Sequence, residues 1–391
     1  MGQGLAFDTG RSLLEAASRQ EMDIGMFRTP VRGSLAQLTP RRRRQLLVGI
    51  GVLLFALIMG VIAWNKHAAP PAPQVLSHTY EQALEQAHNG QPGAARVLYQ
   101  QLARNDLSDI RRASLLAELG NYPSPQALKL LSADLRHESA LVRLAAIDTT
   151  QILVPDGKRS LLLGPLLDDP DVSVRRHAVN ALLDLTPDDL GLYYAGLQDN
   201  VEAWQAFLKS QPPSAENQLQ LARLLEHSGN AAAALAILQQ ATQLEPKNLQ
   251  AALAYIDLLD RQGQTERGRQ LLGQLLVLHP DSSRLQHALG KWLLQHDQTE
   301  YALLALAKAV ELEPDNIGYR YDLAVALHDL QELEAAQKQL AEILQRQPAN
   351  RRARVLLISY WKENGQLQKV QVLQAELEQQ NPDDPELQQG L

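Results

Sequence analysis

The chain contains no cysteine. That excludes thiol nucleophiles, disulfides and covalently held c-type haem, and it suits an oxidising compartment. Aromatic side chains are scarce, at 5% of 391 residues, whereas Leu, Ala and Gln abound. Such a bias favours helices packed through small and straight-chain side chains. Chemistry-bearing constellations are also missing. The ten histidines include no His-x-x-x-His or His-Glu-x-x-His pair, and His287 and His296 stand nine apart, too far for one helical turn. Gly290-Lys291 lacks the earlier glycine of a phosphate loop, and there is no Gly-x-Ser-x-Gly elbow. The acidic pairs Asp168–Asp169 and Asp383–Asp384 sit in turn contexts, where Asp caps helices. The expectation is a protein without catalytic activity, metal or cofactor.

A long run that is apolar throughout occurs in one place, Leu46 to Trp64. At helical rise this segment is about 28 Å long, against about 30 Å for the hydrocarbon core of a bilayer. Arg41, Arg42, Arg43 and Arg44 abut it, and residues 1–45 hold eight arginines against four acids. Positive flanks stay in the cytoplasm. The sequence therefore predicts a single-pass bacterial inner-membrane protein, with its N-terminus cytoplasmic, its C-terminus periplasmic and the lipid bilayer meeting residues 46–64. The apolar run starts too late and is too long for a cleaved signal peptide. Residues 1–45 read as a largely disordered tail, and residues 65–78 as a Pro-rich spacer containing AAPPAP. Residues 67–391 carry 28 basic and 40 acidic groups, a balance of −12, which argues against nucleic-acid binding.

Fixed spacings organise the remainder. Pro246, Pro280, Pro314, Pro348 and Pro382 are each 34 residues apart. A proline at such a spacing ends one helix and opens the next unit. Ala222, Ile256, Gly290, Ala324 and Ile358 keep the same register, as do Ala234, Gly268, Ala302, Ala336 and Val370. Small residues there allow two helices to approach closely. Gly229, Gly263 and Gly365 mark the turn between helices, where Asp297 and Gln331 replace glycine. These residues resemble the tetratricopeptide repeat, a helix–turn–helix unit, over five tandem copies in residues 215–384. A second period of 32 residues precedes it: Pro123, Pro155 and Pro187, with Ile110-Arg111, Val142-Arg143 and Val174-Arg175 in step. This pattern resembles the HEAT repeat and assigns residues 79–187 to HEAT-like hairpins. That resemblance implies that the arginines bond to neighbouring turns. Residues 188–214 form a helical connector, which its prolines leave open as rigid or hinged, and residues 385–391 a short tail. The order of segments also resembles the non-haem portion of some multihaem cytochromes. Without Cys-x-x-Cys-His motifs, no redox role transfers.

The fold expected is therefore all-α, an α-solenoid of stacked hairpins. The resemblance implies a concave face lined by the first helix of each unit, which takes partner segments. Its candidate lining is Arg223 and His227 in the first unit, then Asp257, Asp260 and Arg261 in the second. The third unit offers Arg284, His287, Lys291 and Gln295, and the fourth Tyr321, Asp322, His328 and Asp329. The fifth offers Arg352, Ser359 and Lys362. This set does not match the Asn and Lys clamp that reads chaperone C-termini. The expected role is a membrane-anchored periplasmic interaction scaffold or assembly factor of a cell-envelope complex, with protein partners. The alternative is a chaperone-like factor of the protein-export machinery that holds many unfolded clients.

Overall fold

A computed structural model describes residues 78–390. The expected tail, the apolar segment 46–64, its arginine flank and nearly all of the spacer lie outside the described residues. The described residues all fall in one compact unit. Among the described residues every regular element is a helix, with no strand.

The chain begins with α1 (Tyr80–His88), α2 (Ala94–Leu102), α3 (Asp109–Leu119), α4 (Pro125–Asp134), α5 (Ala140–Leu153) and α6 (Asp156–Leu163). A 3-10 turn, Gly164–Asp168, leads into α7 (Val172–Leu182), the short α8 (Pro187–Leu190) and the connector α9 (Tyr194–Ser210). Five hairpins follow: α10 (Ala215–His227) with α11 (Ala231–Leu244), α12 (Leu249–Arg261) with α13 (Thr265–Leu278), and α14 (Ser283–Gln295) with α15 (Thr299–Leu312). The last two are α16 (Ile317–Asp329) with α17 (Leu333–Arg346), and α18 (Arg351–Glu363) with α19 (Leu367–Gln380), before the final turn α20 (Pro385–Gln388).

Each hairpin is set by residues in the 34-residue register. Two positions beyond each proline, Asn248, Ser282, Asn316, Asn350 and Asp384 cap the next helix, their side-chain oxygens accepting from a backbone N–H in its first turn. Gln286, Arg320 and Arg354 reach back and donate to the carbonyls of Pro280, Pro314 and Pro348. The turn residues Gly229, Gly263, Asp297, Gln331 and Gly365 all have φ between 56° and 74°. The two non-glycines thus occupy the same left-handed conformation as their glycine counterparts. Gly290 shows why small residues recur where helices meet, since a Cβ there would lie 2.6 Å from Leu306 Cγ.

The expected link between arginines and turns is visible in residues 104–175, with one shift of register. Arg143 pairs with buried Asp169 at 2.8 Å and donates to the carbonyls of His137 and Glu138. Arg175 donates to the carbonyls of Asp169 and Pro170. In the first copy it is Arg112, not Arg111, that turns inward, to Asp134 at 2.5 Å and to the carbonyls of Leu102 and Arg104. Arg111 stays outside, on Glu81 and over the Tyr80 ring.

The connector is not a bare linker. Helix α9 buries Leu197, Val201, Trp204 and Leu208, and one apolar core runs from Ala87 through Leu116, Ile147 and Trp204 to Leu258. Ala349 of the fifth unit belongs to that same core. The last unit therefore returns to the first hairpins. Gly93 N–H donates to the Gln379 carbonyl at 2.7 Å, and Asn381 Nδ2 donates to the Pro123 carbonyl at 2.8 Å. Gly90, at φ 58°, sits so close that a Cβ would lie 2.9 Å from the Pro348 carbonyl oxygen.

The expected location is corrected. Among the described residues no helix is long and apolar enough to cross a membrane. The longest, α9, has 17 residues and carries Asp199, Glu202 and Lys209. The inner-membrane, periplasm-facing assignment is withdrawn.

Candidate functional site

Successive first helices α10, α12, α14, α16 and α18 stand side by side, so residues about one unit apart meet. Arg261 pairs with Glu226 at 2.7 Å, His287 with Asp322 at 2.7 Å, and His328 with Glu363 at 2.6 Å. His296 lies 3.2 Å from Asp260. These pairs tie neighbouring units across the face that the sequence nominated. The His287 hydrogen bond holds the Asp322 carboxyl below its ordinary range, and partial burial opposes it. Aromatic stacking supports the same face, with His287 on Tyr319 and His328 on Tyr360. Burial pushes the Tyr360 hydroxyl up to about 12.

Three hollows open along these helices. The first, of 590 Å³, lies where α7 meets α10 and α12, and it gathers the predicted Arg223, His227, Asp257 and Arg261. Its charges are already paired: Arg223 with Asp184 at 3.2 Å, and Arg261 with Glu226 and Asp257. His227 is held by the Leu183 carbonyl and Gln198. The second, of 170 Å³, gathers Asp257, Asp260, Lys291 and Gln295 around Trp292. The indole N–H of Trp292 is buried there without a hydrogen-bond partner. The third, of 840 Å³, collects Tyr321, Arg352 and Ser359.

The other predicted residues are placed differently. Arg284 is exposed and lines none of the three hollows. Lys362 donates to the Gly390 carbonyl at 3.3 Å, and Asp329 lies 3.9 Å from His328. His287, Asp322 and His328 serve the ladder between units rather than a hollow. The sequence reading missed Trp292, although its place on a first helix was available. It also missed Leu128, Ile152 and Lys158, which face the fifth unit across the third hollow and share no local register with it. Among the described residues, no three His, Asp or Glu side chains gather into a metal-binding group.

No curated protein matches the chain. Among solved structures, a crystal structure of MamA is 16% identical, covers 42% of this chain and 91% of its own, and gives a TM-score of 0.35. MamA 41-end from Desulfovibrio magneticus RS-1 is 18% identical over 49% and 96% of the two chains, with a TM-score of 0.30. YrrB, described as a TPR protein with an unusual peptide-binding site, is 20% identical over 47% and 94%, with a TM-score of 0.34. Residues 225–291, which span the first to third hairpins, match the family model of the tetratricopeptide repeat.

Proposed function

We propose that this chain is a non-catalytic protein–protein interaction scaffold. Residues 215–384 act as a five-unit tetratricopeptide array, and the hairpins of residues 79–187 as a HEAT-like partner array. A segment of another protein lies along the face built by α10, α12, α14, α16 and α18. The observation that carries this reading is the sharing of one face by the three hollows and the inter-unit ladder. Hollows in series, with charged and aromatic side chains fixed by their neighbours, suit an extended or helical segment laid across several units. Pre-paired charges favour a particular partner over many unfolded clients, because a partner's groups must satisfy or replace defined ion pairs.

Site-specific photo-crosslinking tests the proposal. A benzophenone amino acid at Gln295, on the first-helix face, is expected to crosslink a partner protein in cells. The same group at Val277, 82% exposed on the second helix α13, is not. Crosslinking at Val277 with none at Gln295 would overturn the assignment of the face.

A further inference from the structure

The third hollow is formed by two parts of the chain far apart in sequence. One wall comes from the hairpins of residues 79–187, with Leu128 at 40% and Ile152 at 67% exposure. The other comes from α18, with Val355 and Leu356. Large apolar side chains are left uncovered here because the two walls stand apart with a space between them. Contacts already described fix the separation: Gly93 to Gln379, Asn381 to Pro123, and Gly90 against Pro348. The hollow is thus held open by a built seam.

Its charges differ from those of the first hollow. Arg351 is held by the fully buried Asp384 through two hydrogen bonds of 2.6 and 2.8 Å, so it serves the wall. Arg352 lies 4.0 Å over the Tyr321 ring, its charge helps to hold the Asp322 carboxyl low, and among the described residues it makes no salt bridge. Lys158 is exposed on the opposite wall and likewise makes none. Two cations without a salt bridge therefore flank an apolar slot, in a stretch of chain whose balance is −12, and the one acid of the lining, Glu386, lies 3.7 Å from Arg351. Stacking on Tyr321 orients the Arg352 guanidinium, and its planar fork matches a carboxylate.

Resting on the proposed scaffold function, we infer that this seam is its anchoring subsite. It takes a partner segment in which a bulky apolar side chain stands beside a carboxylate. The apolar group enters between Ile152 and Leu356, and the carboxylate meets Arg352 and Lys158. The chain's own residues 1–45, with eight arginines and four acids, carry the wrong sign to fill it.

Random dodecapeptides displayed on phage, selected on the purified full chain, provide the test. Enriched sequences are expected to place Asp or Glu next to Leu, Ile, Phe or Trp. Fluorescein-labelled copies should lose at least about tenfold in affinity, by anisotropy, with Ile152→Glu and with Arg352→Glu. Both positions are exposed, and circular dichroism would show that these variants fold. Arg352→Lys should retain part of the binding, and Arg261→Glu in the first hollow should change it little. Peptides that lose binding with Arg261→Glu and ignore the seam variants would overturn the subsite yet leave the scaffold face standing. Failure to enrich any peptide would count against both. A dimer seen by light scattering that Ile152→Glu returns to monomer would replace the acidic partner by a second copy.

Discussion

At the scale of single residues, the turns between helices carry the clearest local strain. Gln331 and Asp297 adopt φ of 62° and 56°, where Gly229, Gly263 and Gly365 stand in the other units. A left-handed residue with a Cβ costs about 1–2 kcal/mol, and Asp tolerates it better than Gln. Glycine removes that cost but gives back roughly 0.5–1 kcal/mol through its freer unfolded chain. Gln331→Gly should therefore stabilise the protein by about 0.5–1 kcal/mol in chemical denaturation, and Asp297→Gly by less. A loss of stability in Gln331→Gly would mean that the side chain itself holds the turn. These two positions were readable in the sequence because the 34-residue register marks which slot requires glycine.

At the scale of elements, helix pairs are joined by the ladder along the first helices. Asp322 is a rung whose titration is displaced downward, chiefly by its hydrogen bond from His287. A depressed carboxyl stabilises the fold fully above its unfolded value, about pH 4, and loses that contribution as pH falls through the lower folded value. The acid limb of the unfolding midpoint should therefore be flatter in Asp322→Asn than in the parent, most visibly below about pH 4. Superimposable acid limbs in thermal scans would remove the rung from the account. His287 and Asp322 were both predicted on this face, since a register of 34 with first helices side by side puts residues 35 apart within reach. The Arg111–Arg112 exchange shows where the local signal ends. Consecutive residues differ by about 100° around a helix, so a doubled arginine does not say which copy points inward. Only the packing of Asp134 decides, and it chooses Arg112.

At the scale of the whole described unit, the decisive feature was hidden from the sequence. Where α19 ends relative to α2 depends on small rotations accumulated over every hairpin between them, and no local pattern encodes that sum. An open solenoid has free ends that fray, with stability passed only between nearest neighbours. Here the ends are tied: Gly93 to Gln379, Asn381 to Pro123, and Ala349 buried in the core of the opening hairpins. The last hairpin cannot melt without exposing part of the first core. Closing so long a loop is an entropic cost that grows only slowly with length, so a few well-made contacts suffice to hold it. Asn381 is 1% exposed, and its amide satisfies the Pro123 carbonyl. Asn381→Ala removes this donor from a part-buried carbonyl but also removes a buried Oδ1 that has no partner, so it should cost about 0.5–1.5 kcal/mol, the net worth of one hydrogen bond. It should also uncouple the ends, so that amide exchange rises together in α1–α2 and α18–α19 while α12–α15 keep their protection. If exchange rises in α18–α19 alone, the seam is a passive contact and the unit behaves as an ordinary open array. If both ends respond, the two walls of the seam hollow are set by one cooperative closure, and a segment bound between them must stabilise both ends at once.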